Sequence, residues 1–201
     1  MSYLALDTSG KRLTVLINHN NKDYLYTDPD CGVAHSVQVM VQIDALAKKA
    51  NLNLAEVDFF ACVTGAGSFT GIRIGVSTIK ALCFAYQKPA LAITSFDTIA
   101  YNKQEGKVLA VINAGHGGYY TCGYNDGQEV LPPQYLLTEQ VLGYTDYELL
   151  AFEEISDFKV NVVDIPNGLK RAVEKKKNNL IDANELNPVY VRKSQAEEGR
   201  K

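Results

Sequence analysis

The sequence predicts an α/β protein of two similar lobes, each a mixed β-sheet flanked by helices. Short apolar runs alternate with longer segments of helical periodicity, the pattern expected of sheets covered by helices. A succession of strand, hairpin, helix and strand partly recurs near the middle of the 201 residues. We therefore expect an N-terminal lobe over residues 1–103 and a shorter C-terminal lobe over 104–201, although the two halves share no obvious sequence similarity.

In the first lobe, apolar runs predict strands over 3–6, 13–17, 24–26, 57–63 and 90–93. The asparagine-rich turn after Ile17 makes the second and third runs a hairpin. Helices are expected over 35–52, 70–86 and 96–101. Pro89 ends the second helix, and Thr94 or Ser95 can cap the third.

The first of these helices carries two apolar stripes. One consists of residues at helical spacing and faces the core: Val39, Ile43, Leu46 and Ala50. Val37, Met40 and Val41 form the other. Because a surface helix usually has a single apolar face, two stripes indicate burial on two sides, one of them against a partner.

The second lobe has weaker signals. Strands are expected over 108–112, 119–124 and 160–163, with a hairpin turn at 125–127. Pro132 and Pro133 should interrupt regular structure. Helical segments are expected over 136–142, 147–154 and 169–180, and the extended piece 186–191 can pack back on the protein.

Composition limits the function classes. A net charge of -3 argues against a protein that mainly grips nucleic acid. The four cysteines form no C-x-x-C pair, so they predict reduced core thiols of a cytoplasmic protein rather than a zinc or redox site: Cys31, Cys62, Cys83 and Cys122. The N-terminus does not read as a signal peptide, and no apolar run approaches 18 residues, so no membrane segment is expected.

The strongest motif is Thr64-Gly65-Ala66-Gly67-Ser68-Phe69-Thr70-Gly71-Ile72-Arg73-Ile74-Gly75, which joins a buried strand to a helix. One interpretation is an anion-binding loop at a helix N-terminus, with Arg73 as an added donor. The other is a tight turn whose glycines permit positive φ, and the residues alone favour it. No Gly-Lys-Ser/Thr follows, so this is not a Walker A loop.

Gly71 and Gly75 lie one turn apart on the predicted helix, with Thr78 nearby on that face. A glycine inside a helix costs about 1 kcal/mol relative to alanine, which close approach of another backbone can offset. An internal helix and a second chain are both open as the approaching element. The second apolar stripe on the helix at 35–52 favours a second chain.

Asp7-Thr8-Ser9-Gly10 resembles the first phosphate loop of actin-like and hexokinase-like ATPases, and Asn113-Ala114-Gly115 stands where the second would lie. Such an ATPase needs a carboxylate near each loop to hold Mg²⁺-bound water and orient the attack. Asn113 supplies no charge, so the pair predicts a vestigial nucleotide cleft. The candidate cleft residues are Asp7, Ser9, Gly65, Gly67, Asn113 and Gly115.

No catalytic or metal-ligating residue is predicted. The three histidines, His19, His35 and His116, form no H-x-x-x-H or H-E-x-x-H motif, and Ser68 has no evident His and Asp partners. The basic segment 170–177 predicts a solvated helix face, with an RNA or partner patch as the alternative.

The long glycine motif, in its context after Val57-Asp58, resembles the TsaB (YeaZ) family, whose members typically read G-x-G-P-G-S-F-T-G-x-R-x-G. Other pieces fall in the family order: Leu6-Asp7-Thr8-Ser9, His35-Ser36, Pro89 before Thr94-Ser95, and Pro188-Val189-Tyr190-Val191-Arg192. The resemblance is close over residues 1–125 and at the C-terminus. Ala66 replaces the family proline, and Asn113-Ala114-Gly115-His116 replaces an Asp-Ala-Arg-Arg-like run.

The resemblance implies an actin-like (ASKHA, ribonuclease H-like) duplicated fold without its own catalysis. It implies a cytoplasmic scaffold that activates TsaD, together with TsaE, in threonylcarbamoyl transfer to the adenosine next to the anticodon of ANN-decoding tRNAs. It also implies a homodimer when the chain is alone, tRNA contact through the complex, no membrane, and no intrinsic cofactor, with ATP or ADP at the TsaD interface or in the complex.

The implied partner interface lies on the two long helices: His35, Val37, Met40, Val41, Asp44, Ser68, Phe69, Thr70, Gly71, Arg73, Gly75 and Thr78. Two rival functions remain open at the sequence level. An actin-like-fold ATPase or small-molecule kinase would turn over ATP through Asp7, and a metallopeptidase would hold a metal.

Overall fold

The structure, a computed structural model, describes residues 1–192, which form two five-stranded sheets. The strands of the first sheet are β1 (Tyr3–Asp7), β2 (Leu13–His19), β3 (Lys22–Asp28), β4 (Phe59–Val63) and β5 (Ala90–Ile93). Their order is β3-β2-β1-β4-β5. The β1–β2 and β2–β3 pairs are antiparallel, whereas β4 runs parallel to both β1 and β5. The sheet is therefore mixed, as predicted.

Three helices cover this sheet: α1 (His35–Ala50), α2 (Phe69–Tyr86) and α3 (Ser95–Ala100). The core under α1 and α2 includes Leu4 and Leu6 of β1, whereas Tyr3 and Ala5 face the other side with α3. This alternation follows the two-residue period of a strand. The two long helices consequently lie on the face turned away from the second lobe.

The second sheet consists of β6 (Lys107–Gly115), β7 (Gly118–Asn125), β8 (Gln128–Leu137), β9 (Glu148–Ala151) and β10 (Asn161–Val162). Its order, β10-β9-β6-β7-β8, is that of the first sheet read from the other end. Its helices are α4 (Thr138–Leu142) and α5 (Ile165–Lys176). The described residues between β9 and β10 contain no helix, where the first lobe has α2. The predicted duplicated α/β class is confirmed.

Two sequence predictions in the second lobe are wrong. Residues 148–151 of the segment 147–154 form β9 and none of the segment is helical, because Glu148–Ala151 pair with Val108–Val111 of β6. Tertiary pairing here overrides a weak helical pattern. Pro132 and Pro133 lie inside β8 instead of ending regular structure. Because β8 is at the edge of the sheet, its prolines need not donate to an outer neighbour, and the ladder shifts register close by.

The remaining helix boundaries shift modestly. Helix α5 starts at Ile165 and ends at Lys176, rather than spanning 169–180, with Pro166 in its first turn and Asp164 as its N-cap. A proline is tolerated there because its missing N–H has no helical acceptor. Only residues 138–142 of the segment 136–142 are helical, as α4. None of the described helices is long and apolar enough to cross a membrane.

The central core joins the two lobes. It combines one face of each sheet with α3 and α5, which lie between them. These two helices approach so closely that a Cβ added at Gly168 would lie 1.9 Å from the carbonyl oxygen of Thr98. All four cysteines lie within the described residues and are buried and unpaired, as predicted.

Most basic side chains of the segment 170–177 form hydrogen bonds or ion pairs with other residues of the protein. Lys170 pairs with Asp23, and Lys176 with Asp97. The Arg171 guanidinium donates to the carbonyl oxygens of Tyr101 and Asn102, and Lys175 donates to that of Gly127 at 2.7 Å. The expectation of a solvated helix face is therefore wrong for four of the five, because these side chains tie α5 to both lobes.

Asp97 is the centre of a buried polar cluster between the lobes and is 2% exposed. Its carboxylate accepts hydrogen bonds from the N–H and hydroxyl of Thr94, which complete a capping box for α3. It also accepts from the Tyr124 hydroxyl at 3.1 Å and pairs with Lys176 at 2.5 Å. Burial raises the pKa of Tyr124, so its hydroxyl keeps the proton it donates.

Asp97→Ala should therefore destabilise the protein by about 3–5 kcal/mol, the cost of removing one partner of a buried ion pair. Chemical denaturation measures the change. Asp146→Ala is the control, because Asp146 pairs with Lys107 in an exposed position and its loss should alter stability little. Equal effects of the two variants would contradict a special role for the Asp97 cluster.

Candidate partner interface and interlobe cleft

The glycine motif forms the turn from β4 into α2. Ser68 is the N-cap of α2, and its hydroxyl accepts the N–H of Gly71. The Ser68 N–H donates to the carbonyl oxygen of Ser9 at 2.6 Å, which joins the motif to the loop after β1. Gly65 and Gly67 have φ of +125° and +148°, so the tight-turn interpretation is confirmed for these two glycines.

Gly71 and Gly75 of α2 pack against the end of β1 in the same chain. A Cβ added at Gly71 would lie 2.0 Å from the Thr8 carbonyl oxygen, and one at Gly75 would lie 2.4 Å from the Thr8 hydroxyl oxygen. The Thr8 hydroxyl also donates to the carbonyl oxygen of Gly71 at 2.7 Å. The expectation that Gly71 and Gly75 face a second chain is wrong, because the end of β1 already fills the space they leave.

His35 is also turned inward. It is 4% exposed, and its Nε2 lies 3.2 Å from the carbonyl oxygen of Arg12, in the connection between β1 and β2. A side chain buried in this way offers little surface to a partner. The structure therefore contradicts the placement of His35 on an exposed interface and gives it a place beneath the start of α1.

The other predicted interface residues are accessible. Val37, Met40 and Val41 on α1 are 67%, 49% and 56% exposed, so the second apolar stripe does face outward. The further exposed positions are Asp44, Ser68, Phe69, Thr70 and Arg73, and Thr78 is half-buried. Sequence reasoning missed the rest of the exposed face of α2, where Ser77, Ala81, Phe84 and Ala85 follow Arg73 at helical spacing.

A cavity of about 630 Å³ lies between the lobes. It brings together four of the predicted cleft residues, Asp7, Ser9, Gly67 and Asn113. Gly65 and Gly115 do not line it. Gly65 lies against the C-terminal segment, and the N–H of Gly115 donates to the Asn113 side chain at 2.8 Å. His35, Ser68 and Thr70, expected on the partner interface, also line the cavity, and the sequence reasoning missed four more charged or polar lining residues: Lys11, Arg12, Ser36 and Glu153.

Lys11 and Arg12 directly follow the Asp7 loop in the sequence, so their place in the cavity could have been predicted.

Asp7 is poorly suited to hold a metal-bound water. It is 5% exposed, and its carboxylate accepts the N–H and the hydroxyl of Ser9 at 2.8 and 2.7 Å. Burial raises the pKa of Asp7, and these two hydrogen bonds with the charges of His35 and Arg12 lower it only in part. Within residues 1–192, no group of three or more His, Cys, Asp and Glu side chains is placed to hold a metal ion.

Comparison with known proteins relates the chain to one family. Residues 29–196 match the family model described as "TsaD: tRNA N6-adenosine threonylcarbamoyltransferase". The Bacillus subtilis protein named tRNA threonylcarbamoyladenosine biosynthesis protein TsaB is 28% identical over 67% of this chain and 61% of its own length. The Haemophilus influenzae protein of that name is 23% identical over 96% of this chain and 94% of its own.

A solved structure titled "YeaZ from Pseudomonas aeruginosa" superposes with a TM-score of 0.78 at 24% identity, over 94% of this chain and 99% of that one. At this identity the superposition shows a shared fold. The chain spans 61% of the length of the first of the curated relatives.

We expect Gly71→Ala to destabilise the protein by about 1–3 kcal/mol, because the added methyl group overlaps the Thr8 backbone and must displace it. Gly10→Ala is the matched control, since no atom lies within 4 Å of its added Cβ. Chemical denaturation compares the two. A Gly71→Ala protein as stable as Gly10→Ala would contradict the inward packing.

Asp7→Asn should change how stability depends on pH. The native carboxyl keeps its proton above the ordinary value of about 3.9, so the unaltered protein loses stability as pH rises from there to the raised native pKa. Asparagine still accepts from Ser9 but does not titrate. Relative to the unaltered protein, Asp7→Asn should be more stable at pH 6 than at pH 3.5, measured by denaturation.

Asp146→Asn gives the opposite control, because Lys107 lowers the pKa of Asp146. Its stability relative to the unaltered protein should fall, not rise, between pH 3.5 and pH 6. The same slope for both variants would contradict this description of Asp7.

Proposed function

Because the chain belongs to the TsaD family, and within it to the TsaB (YeaZ) group, we propose that it is a non-catalytic scaffold and activator of TsaD. The reaction that it supports is threonylcarbamoyl transfer to the adenosine next to the anticodon of tRNAs that read ANN codons. The role in tRNA threonylcarbamoyladenosine biosynthesis is the one printed in the names of its relatives.

One observation carries the scaffold role: the outward faces of α1 and α2 expose several large apolar side chains together with small ones. Val37, Met40 and Val41 project from α1, and α2 packs beside α1 with Ser77, Ala81 and Phe84 exposed. Contiguous exposed apolar surface on a globular protein marks an interaction site. Small side chains on a helix also allow a partner helix to come close, since interaxial distance depends on the side chains at the contact.

The interlobe cleft supports a non-catalytic role. An ATP-dependent site needs ionised carboxylates where Mg²⁺ and the attacking group lie. Asp7 is buried with a raised pKa, and the second loop presents the neutral Asn113. In this proposal, ATP or ADP is bound at the TsaD interface or elsewhere in the complex, and this chain alone holds no cofactor.

The proposed partners are those that the resemblance to the TsaB (YeaZ) family implies. TsaD forms a heterodimer on α1 and α2, and TsaE joins the complex. Two copies of this chain form a homodimer through that surface when TsaD is absent, so the two dimers compete. Contact with tRNA is made through the assembled complex, in the cytoplasm.

Reconstitution tests the proposal. TsaD, TsaE, threonylcarbamoyl-AMP and tRNA are combined with and without this chain, and modified adenosine is measured. We expect modification to depend on the chain. Equal modification without it would show that the proposed function is wrong.

Val41→Asp should lower both modification and affinity for TsaD, the affinity at least ten-fold by calorimetry, which corresponds to about 1.4 kcal/mol. The introduced carboxylate would be buried at the interface without a partner. Val130→Asp is the matched control, because Val130 is 48% exposed on β8 of the other lobe. If both variants bind as tightly as the unaltered chain, the interface does not include this stripe of α1.

A further inference from the structure

The described end of the chain crosses the N-terminal end of α2. The N–H of Val189 donates to the carbonyl oxygen of Thr64 at 2.8 Å, just before the glycine motif. The carbonyl oxygen of Val189 lies 2.4 Å from where a Cβ on Gly65 would be, so a side chain there would exclude this segment. The segment then continues to Arg192, whose guanidinium lies 4.5 Å from the ring centroid of Tyr135 on β8.

Tyr190 completes a cluster with two residues of α2. Its ring stacks on that of Phe69, with centroids 4.9 Å apart. The guanidinium of Arg73 lies 3.8 Å from the Phe69 centroid, and its Nε donates to the Tyr190 hydroxyl at 3.0 Å. Phe69 and Tyr190 remain 37% and 41% exposed, and Arg73 is exposed as well. The cluster therefore holds a guanidinium in a set orientation at the surface.

The charged side chains of α2 are all cations. The 18 residues of α2 include no Asp or Glu, and their two cations are Arg73 and Lys80. Lys80 donates to the carbonyl oxygen of Asn184, whereas no described residue forms an ion pair with Arg73. The guanidinium donates one of its five N–H groups to Tyr190. The N–H groups on the outer edge of the fork can therefore donate to a planar anion.

We propose that Phe69, Arg73 and Tyr190 form an anchor for a carboxylate side chain on a protein partner. Arg73 supplies the fork for the carboxylate, Phe69 supplies apolar contact, and Tyr190 is a positioning residue that holds the guanidinium. Aromatic residues and Arg are enriched in the centres of interfaces. A side chain that is already ordered loses less entropy on binding. The anchor rests on the proposed function, since the partner is taken to be TsaD.

A protein fits this surface better than RNA does. Binding to a nucleic-acid backbone usually draws on several cations at once. Here the cluster of Phe69, Arg73 and Tyr190 offers one guanidinium to an anion, beside two exposed rings and the small residues of α2, in a chain of net charge -3. These features match the centre of a protein interface.

The test is a titration of the full chain and its variants with TsaD, at low and at moderate salt. Arg73→Gln should weaken binding at least ten-fold and reduce the salt dependence of the affinity. Arg73→Lys keeps the charge but not the fork, so it should restore only part of the loss. Tyr190→Phe keeps the ring and removes the hydroxyl, and we expect a smaller loss of two- to five-fold.

Lys177→Gln is the charge-matched control, because Lys177 is exposed in the second lobe and makes no hydrogen bond within the described residues. It should bind like the unaltered chain. Thermal unfolding of each variant confirms that it folds, which is expected because Arg73 and Tyr190 lie at the surface.

The outcomes separate the anchor from the function on which it rests. If the unaltered chain does not bind TsaD, both are wrong. If it binds TsaD and Arg73→Gln binds equally well, only the anchor is wrong. The anchor is also overturned if Arg73→Gln weakens the binding of tRNA by the complex but not that of TsaD. It is overturned as well if removal of residues 193–201 tightens TsaD binding ten-fold. That result would mean that a carboxylate of this chain, Glu197 or Glu198, competes with the partner for Arg73.

Discussion

The contact of the glycine motif with the end of β1 is the constraint on which the rest of the first lobe depends. Backbone meets backbone there, since a Cβ at Gly67 or Gly71 would lie about 2 Å from a carbonyl oxygen of Ser9 or Thr8. Protein interiors are packed as densely as organic crystals, so such a contact cannot widen without moving whole elements. It sets the height of α2 above the sheet and the direction in which its outer face points.

Near the same contact, several polar groups of the loop after β1 are bound within the chain. Ser9 donates to Asp7, Thr8 donates to Gly71, and Ser68 donates to the backbone of Ser9. These N–H and hydroxyl groups are therefore hydrogen-bonded within the chain. The cavity is also lined by Lys11, Arg12, Glu153, Ser36, Thr70 and Asn113, with a buried Asp7 whose pKa is raised.

The two lobes share a sheet topology but differ in their helices. Their sheets share one strand order, but the described residues between β9 and β10 form no counterpart of α2, and α4 is only five residues long. Outward helical surface is therefore concentrated on α1 and α2 of the first lobe. The C-terminal segment returns to that lobe and joins its surface through Tyr190, while Asp97 and the basic residues of α5 hold the lobes together.

The elements of the first lobe, the duplicated class and the family could be predicted from the residues alone, because long periodic segments and a dense local motif report structure within one stretch of chain. The two apolar stripes of α1 were also visible in this way. Which distant residues meet could be seen only in the folded chain. A glycine spaced for close approach looks the same whether Thr8 or another chain fills the space, and residues 148–151 form a strand only because β6 lies beside them. Likewise, nothing local to Tyr190 indicates that it stacks on Phe69, since that contact depends on how the chain returns across the first lobe.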